Sequence, residues 1–329
     1  MADGMINNKT WIHIILIFFL GLAIYAGSLN GRFIWDDKSL VEDNLYIREW
    51  SGIRGFFSGE VTTHHSLFPK YYRIYRPLQL VTYAADYSLW KLNASGYHLT
   101  NILLHISVAL LAYWLFGILY NNSFLSLLAG IFFVVHPINT EAVSYIAGRS
   151  DSLCGIFMLS SLILYIKAQD IGRAGLYIFA LLLYIGALLS RETSLVLPVL
   201  LLLYHYSFKK KIDLRAFLFF LLITLGYVFL RPSFYIADPF SAAFLRRIPG
   251  FFVAVTDYIR LLFLPLDLHM EYGDRLFAIT EPRAVMGFFI VVSLVAYAWI
   301  KRKTDRLIFF SISWFFILLL PERAGLVMR

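Results

Sequence analysis

WIHIILIFFLGLAIYAGSLNGRFIWDDKSLVEDN occupies residues 11–44 and joins an apolar run to a cluster of acids. Residues 11–29 have about the length, roughly 20 residues, that a helix needs to cross a bilayer. A secretory signal would carry a shorter apolar core of about 7–15 residues before a small-residue cleavage site. Ala26-Gly27-Ser28 has that small-residue character, but the length of the run favours an uncleaved first helix. Lys9, just before it, votes for a cytoplasmic N-terminus. Asp36 and Asp37 then stand a few residues beyond the membrane exit. Such a pair reads in two ways. It can be the solvated start of a loop or a helix N-cap, or the two carboxylates can divide roles, one as general base and the other orienting it or holding a metal.

The rest of the chain extends the membrane reading. Of 329 residues, 60% are hydrophobic and 15% charged, against about half and a quarter in a soluble domain. Mean hydropathy is +0.70. Aromatic residues make up 18%, which suits side chains anchored at membrane interfaces. The formal charge of +8 comes largely from short connectors such as Lys209-Lys210-Lys211 with Arg215, and Lys301-Arg302-Lys303 with Arg306. That is a positive-inside pattern rather than a nucleic-acid footprint. The lone Cys154 excludes an intrachain disulfide and a cysteine metal cluster.

Further apolar segments predict helices near 98–119, 124–136, 151–167, 174–190, 193–208, 214–231, 284–300 and 306–321. The mixed, aromatic stretch 30–97 predicts a folded first extracytoplasmic loop with surface helices near 50–57 and 77–90. Residues 244–265 are apolar but include Asp257 and Arg260. A charge at the bilayer centre costs roughly 2.5–3.5 kcal/mol on insertion scales. A crossing there would also move Lys301–Arg306 outside. The segment therefore reads as interfacial or re-entrant, within a second extracytoplasmic region over 232–282. The fold class expected is an all-α polytopic membrane protein, one module over 1–329 with about nine transmembrane helices. No Walker loop, GxGxxG, HExxH or EF-hand pattern occurs, which argues against ATP-driven transport by this chain alone.

On that topology several polar groups gather towards one face: Asp36 and Asp37, Tyr75-Arg76-Pro77, His98 with Asn101 and His105, His136, Glu141 through Asp151, Arg191-Glu192, and Arg231. Ionisable groups at membrane depth are functional candidates by default. His98, Asn101 and His105 share a helical face and fit either interhelical hydrogen bonding or ligand contact. Glu141, Tyr145 and Arg149 are spaced to form one stripe, either an internal ion-pair stripe or a binder of an anionic headgroup, since arginine matches phosphate with a bidentate fork. Arg191-Glu192 and Arg231 fit helix ends as well as a site. Together these residues suit a phosphate-bearing lipid whose headgroup reacts with a hydroxyl.

WDDKSLVEDN, YRPLQLVTYAADYSLWKLNASGYHLTNILLH, VVHPINTEAVSYIAGRSD and LLSRETSLVLP occur in this order. In that order they resemble the C-type (GT-C) glycosyltransferases, and most closely the transmembrane and tetratricopeptide-repeat O-mannosyltransferase-like family. The resemblance covers residues 10–210 and extends more thinly to YIRLLFLPLDLHMEY. It implies a GT-C-like helical bundle in the inner (plasma) membrane, with an extracytoplasmic active site. The donor it implies is a polyprenyl-phosphate-linked sugar, mannose-like, and the acceptor a hydroxyl on protein or glycan. Asp36, or its neighbour Asp37, would be the base of an inverting attack. Arg76, Arg149 and Arg191 would stabilise the leaving phosphate, with His136 donating a hydrogen bond. Glu141 and Asp151 would hold the cations. Beside what the resemblance implies, His98, Glu192 and Arg231 are read from the residues themselves as further candidates for donor binding. No cofactor is required in that branch, although other GT-C enzymes bind a divalent metal through loop carboxylates. The family's repeats are absent here, which reads as a truncated or minimal form, or as one with a repeat-containing partner. The rival readings are a transporter or flippase of polyprenyl-linked glycans and a non-catalytic lipid-binding fragment. A transporter would be expected to show internal repeats and broken midplane helices.

Overall fold

A computed structural model describes residues 8–58, 75–230, 242–269 and 276–323, and these contain helices and turns but no strand. In chain order the α-helices are α1 Asn8–Tyr25, α2 Ile53–Ser58, α3 Pro77–Trp90, α4 Ala94–Tyr120, α5 Ser123–Val135, α6 Thr140–Ser144 and α7 Arg149–Ile171. They continue as α8 Ala174–Leu188, α9 Leu197–Phe208, α10 Leu214–Leu230, α11 Ala242–Phe263, α12 Pro282–Lys301 and α13 Arg306–Arg323. The chain divides into two compact units, Met1–Ser194 and Leu195–Arg329.

In the first unit, α1 packs on α4 and α5, α4 on α5 and α7, and α7 on α8. Lipid is as apolar as leucine, so helices in a bilayer associate by close packing at small residues. Gly21 illustrates this: a Cβ there would lie 2.4 Å from Ile106 Cγ1. Ile17, Tyr25, Ile102, Ile106, Ala109, Val134 and Val143 form the core of this bundle. The long α4 starts where the Asn93 side chain accepts from the Ser95 amide at 3.2 Å, and ends at Asn121, in the left-handed region at φ 50°. Such caps satisfy backbone groups that have no intrahelical partner.

Between α1 and α4 lies the expected folded loop. Short turns, α2 and α3 bury Val41, Ile47, Phe56, Leu80, Tyr83, Ala84 and Tyr97 in a second core that also takes in Ile146. Helices stand at both places where they were expected, near 50–57 and 77–90, as α2 and α3.

In the second unit, α9 packs on α10 and α13, and α12 on α11 and α13. The segment expected to lie at the interface is α11, whose Asp257 faces Arg260 at 3.9 Å and Arg283 at 3.8 Å.

Among the described residues four helical segments are long and apolar enough to cross a membrane, Lys9–Asn30, Ala94–Tyr120, Ile146–Ile171 and Pro282–Lys301. A fifth is formed if Ser123–Val135 and Pro137–Ser144, bent by 49°, make one span. The other four of the nine expected crossings fall on shorter apolar helices, which by length alone do not reach that measure. The chain is an all-α membrane protein.

Candidate active site

The site is built around a break in the chain. Residues 136–148 do not continue one helix. They run through a short turn, α6 and a second turn, Ile146–Gly148, before α7 starts at Arg149. Tyr145 is extended at the break, with φ −94° and ψ 119°. The stripe expected of Glu141, Tyr145 and Arg149 therefore does not exist, because the Tyr145–Gly148 elbow interrupts the helical repeat between them. Gly148 permits the elbow's close approach, since a Cβ there would lie 2.5 Å from the Glu141 carbonyl oxygen.

An elbow of this kind leaves backbone groups that must find partners. Asn101 on α4, fully buried, donates from Nδ2 towards the carbonyls of Val143 (3.2 Å), Tyr145 (3.1 Å) and Ile146 (3.4 Å). On α3, Tyr83 donates its hydroxyl to Ile146 O at 3.1 Å, and Gln79 donates Nε2 to Ala147 O at 2.8 Å. From the loop, Asp37 Oδ1 accepts the Ala147 amide at 2.7 Å, while its Oδ2 accepts the Ile34 amide at 3.1 Å.

Asp36 and Asp37 begin a short helical turn directly after Trp35, which sits in the left-handed region at φ 48°. Successive residues on such a turn do not face the same way. Asp37 is wholly buried, whereas Asp36 is exposed. Burial raises the Asp37 carboxyl to about 6, against the lowering effect of its amide donors. The Asp36 amide donates to the Tyr145 hydroxyl at 3.3 Å. Burial and the Asp36 carboxylate together push the Tyr145 phenol well above its usual range.

Arg149, Ser150 and Asp151 open α7 and point to three different sets of partners. Arg149 is fully buried. Its guanidinium donates to Asn101 Oδ1 at 2.7 Å, Tyr97 O at 3.0 Å and Thr82 Oγ1 at 3.3 Å. It forms an ion pair with Asp86 Oδ2 at 2.5 Å and stacks on Tyr83, 4.7 Å from the ring centroid. These contacts engage all three guanidinium nitrogens, and with the side chain fully buried Arg149 is placed as the hub of the elbow rather than at an open surface. Asp86, which Thr100 also holds at 2.7 Å, was not singled out from the sequence. The available signal was an acid set in the apolar-aromatic run LQLVTYAADYSLW.

Ser150 accepts from Arg76 Nη1 at 3.1 Å, and Arg76 Nη2 lies 3.5 Å from Glu192 Oε2. Asp151 pairs with Arg191. Arg76, Arg191, Asp151 and Glu192 thus form one cluster of two cations and two anions beside the elbow. Burial first, then the neighbouring Arg191, lowers the Arg76 pKa from its ordinary value. Asp151 is the open member, its side chain 45% exposed against 4–15% for the other three.

The remaining expected residues lie apart from this cluster. His136 caps the first turn of the break by accepting the Ile138 amide at 3.2 Å, and Glu141 is exposed on α6. His98 is buried against Gly31, and neither of its ring nitrogens has a hydrogen-bond partner among the described residues. His105 approaches Val134 O at 3.4 Å and packs on Tyr25 and Phe133. Arg231 lies outside the described residues. Among those residues no three His, Cys, Asp or Glu side chains converge as a metal site.

No family model and no solved structure matches the chain. Curated relatives do. Over 331 residues, 87% of this chain, it is 28% identical to the protein O-mannosyl-transferase tmtc2 of Xenopus laevis. Over 274 residues, 79% of this chain, it is 25% identical to the protein O-mannosyl-transferase F38B6.6 of Caenorhabditis elegans. A 152-residue stretch is 36% identical to the human protein O-mannosyl-transferase TMTC2, covering 45% of this chain and 18% of that protein. The chain spans 39% of the length of each of the first two relatives. It is a homologue of the protein O-mannosyl-transferases, members of the GT-C-like glycosyltransferases.

Proposed function

We propose that the protein transfers a sugar, mannose or a similar hexose, from a polyprenyl phosphate to a hydroxyl on a protein at the extracytoplasmic face of the membrane. The observation that carries this reading is the exposed Asp36 carboxylate, whose turn meets Tyr145 of the buried elbow, while Ser150 and Asp151 just after that elbow hold Arg76 and Arg191, in a homologue of protein O-mannosyl-transferases. Asp36 takes the proton of the acceptor hydroxyl as its oxygen attacks the anomeric carbon. The bond from that carbon to the phosphate oxygen breaks, its electron pair leaves with the phosphate, and the configuration inverts. Asp37 has both oxygens committed to backbone amides and acts as the anchor of the elbow. Charge grows on the departing phosphate, so cations fixed beside it stabilise the transition state more than the ground state. Arg191 and Arg76 are the cations in reach of an open surface, through the half-exposed Asp151. In this reading residues 1–329 form one catalytic module, with 30–97 and 232–282 facing outward and the N-terminus in the cytoplasm.

The test is reconstitution into liposomes with a radiolabelled mannosyl-phosphoryl-polyprenol and a serine- and threonine-rich peptide. Removing a general base costs roughly 10²–10⁴-fold, so Asp36→Asn is expected to fold normally and lose that much transfer. Asp37→Asn places an NH₂ against a backbone N–H and is expected to lower thermal stability first. Normal transfer by Asp36→Asn would remove Asp36 from the role of base.

A further inference from the structure

The C-terminal end of α3 carries a surface that the elbow does not use. Along its buried side α3 is fastened to the protein, with Gln79 and Tyr83 donating to the elbow carbonyls and Asp86 paired with Arg149. Its last turn is open instead. Leu89 is 72% exposed, and Trp90 and Leu92 beside it are exposed as well. Trp50, also exposed, joins them by donating its indole N–H to Ser88 Oγ at 3.1 Å. Two cations border the same corner: Arg48 stands 5.8 Å and Lys91 5.1 Å from the Tyr87 ring centroid. Both are exposed, and neither pairs with a carboxylate among the described residues. Glu49, next to Arg48 in the chain, accepts from the Ser51 hydroxyl.

The level of this corner in a bilayer follows from α4. Its 27 residues extend about 40 Å at 1.5 Å each, the thickness of a bilayer with both headgroup layers. Ala94, its first residue, therefore stands at headgroup level when the helix crosses. Leu89, Trp90 and Leu92 come just before it, and the Trp90 ring lies on the first turn of α4. A Cβ at Gly96 would be 2.2 Å from Trp90 Cγ. The turn between is held by Tyr97, whose hydroxyl donates to Lys91 O at 2.9 Å. At that depth tryptophan rings settle at the boundary and long cations reach the phosphates. We propose that this corner is a phospholipid-binding surface: Trp50, Leu89, Trp90 and Leu92 enter the headgroup layer of the leaflet that α4 enters at Ala94, and Arg48 and Lys91 bind anionic headgroups. Because α3 also carries the elbow, this contact sets the height of the elbow above the lipid.

The test uses the full chain with Cys154→Ala and Leu89→Cys, a nitroxide on the new cysteine, in vesicles of phosphatidylcholine and phosphatidylglycerol. Collision with oxygen, which concentrates in lipid, and with a nickel chelate, which stays in water, reads the depth of the label. Leu103→Cys, exposed on α4, gives the lipid reference, and Lys303→Cys, in an exposed connector, the water reference. The label at 89 is expected about 5–10 Å into the boundary of headgroups and acyl chains. Leu92→Cys repeats the measurement at a second position. Nickel access equal to that at 303 overturns the proposal. A label at 89 that neither agent reaches overturns it too, because protein and not lipid then covers the corner. The cations are tested with a fluorophore at the same cysteine, quenched by spin-labelled phosphatidylglycerol or by spin-labelled phosphatidylcholine. A basic side chain near an anionic surface is worth about fivefold in association. Arg48→Gln and Lys91→Gln should each lower the preference for phosphatidylglycerol by about that factor. A preference unchanged in the double variant removes the two cations as headgroup ligands.

Discussion

Replacing Arg149 with methionine separates a scaffold arginine from a phosphate-binding one. Methionine keeps the helix start and most of the apolar stem but removes the guanidinium. Three hydrogen bonds, to Asn101 Oδ1, Tyr97 O and Thr82 Oγ1, are lost together with the ion pair to Asp86. Asp86 stays behind with its side chain only 5% exposed. Removing one partner of a buried pair costs about 3–5 kcal/mol, because the other charge is left uncompensated. Orphaning the Asn101 and Tyr97 acceptors adds roughly 1–3 kcal/mol each before relaxation. Asp86 limits the total by taking up a proton, which its burial already favours. A loss of about 4 kcal/mol near neutral pH is expected, shrinking as pH falls and Asp86 protonates. Replacing both partners, Arg149→Met with Asp86→Leu, should recover about half of it, since apolar pairs substitute well for buried ion pairs. The assay is denaturant unfolding in detergent micelles followed by tryptophan fluorescence, with sugar transfer measured alongside. If Arg149→Met unfolds within about 1 kcal/mol of wild type while transfer falls a hundredfold or more, the scaffold reasoning is refuted. Arg149 would then belong to the donor site.

Three further outcomes follow from other parts of the molecule. The Asp37 carboxyl is raised from 3.8 to about 6 in the fold, so its contribution to stability is full below pH 3.8 and lost as pH rises through 6. At 1.36 kcal/mol per unit this is about 3 kcal/mol. Thermal unfolding should show the gap between wild type and Asp37→Asn narrowing from pH 4 to 7; a constant gap contradicts the burial argument. Gly287→Ala would place a Cβ 1.9 Å from the Phe252 carbonyl oxygen and force α11 from α12. A cost of about 3 kcal/mol, at the upper end for overpacking, is expected in the same unfolding assay. Arg76→Gln should lower kcat/KM for the mannosyl lipid by about 10²-fold, as loss of one fixed charge at a developing anion does. An equal effect on peptide KM alone would place Arg76 at the acceptor instead.

Much of the architecture is readable from composition because lipid imposes a simple rule. Uncharged runs of sufficient length become helices, so the segments expected at 98–119, 174–190 and 214–231 match α4, α8 and α10 within a few residues. The elbow at 136–148 was not readable. Its sequence keeps helical spacing through Glu141, Tyr145 and Arg149, and only tertiary partners on α3, α4 and the loop stabilise the break. For the same reason Arg149 looked like a ligand arginine: its partner Asp86 lies 63 positions earlier in the chain, and no local pattern links them. Asp36 and Asp37 were legible as a pair but not as a division, because burial decides which is which.

That division follows from one residue. With Trp35 in a left-handed conformation, a strain of roughly 1–2 kcal/mol for a non-glycine residue, the following turn sends one carboxylate to water and its neighbour to the protein interior. The two are therefore not interchangeable copies. Deleting a single residue from the 31–34 linker would slide the pair by one place, offering Asp37 to solvent and lodging Lys38 in the amide nest. A double substitution of both aspartates would merge a folding defect with a chemical one. In any family where an acidic doublet follows a membrane helix, the half of the doublet that anchors the backbone would thus be mistaken for the half that reacts, unless each is altered alone.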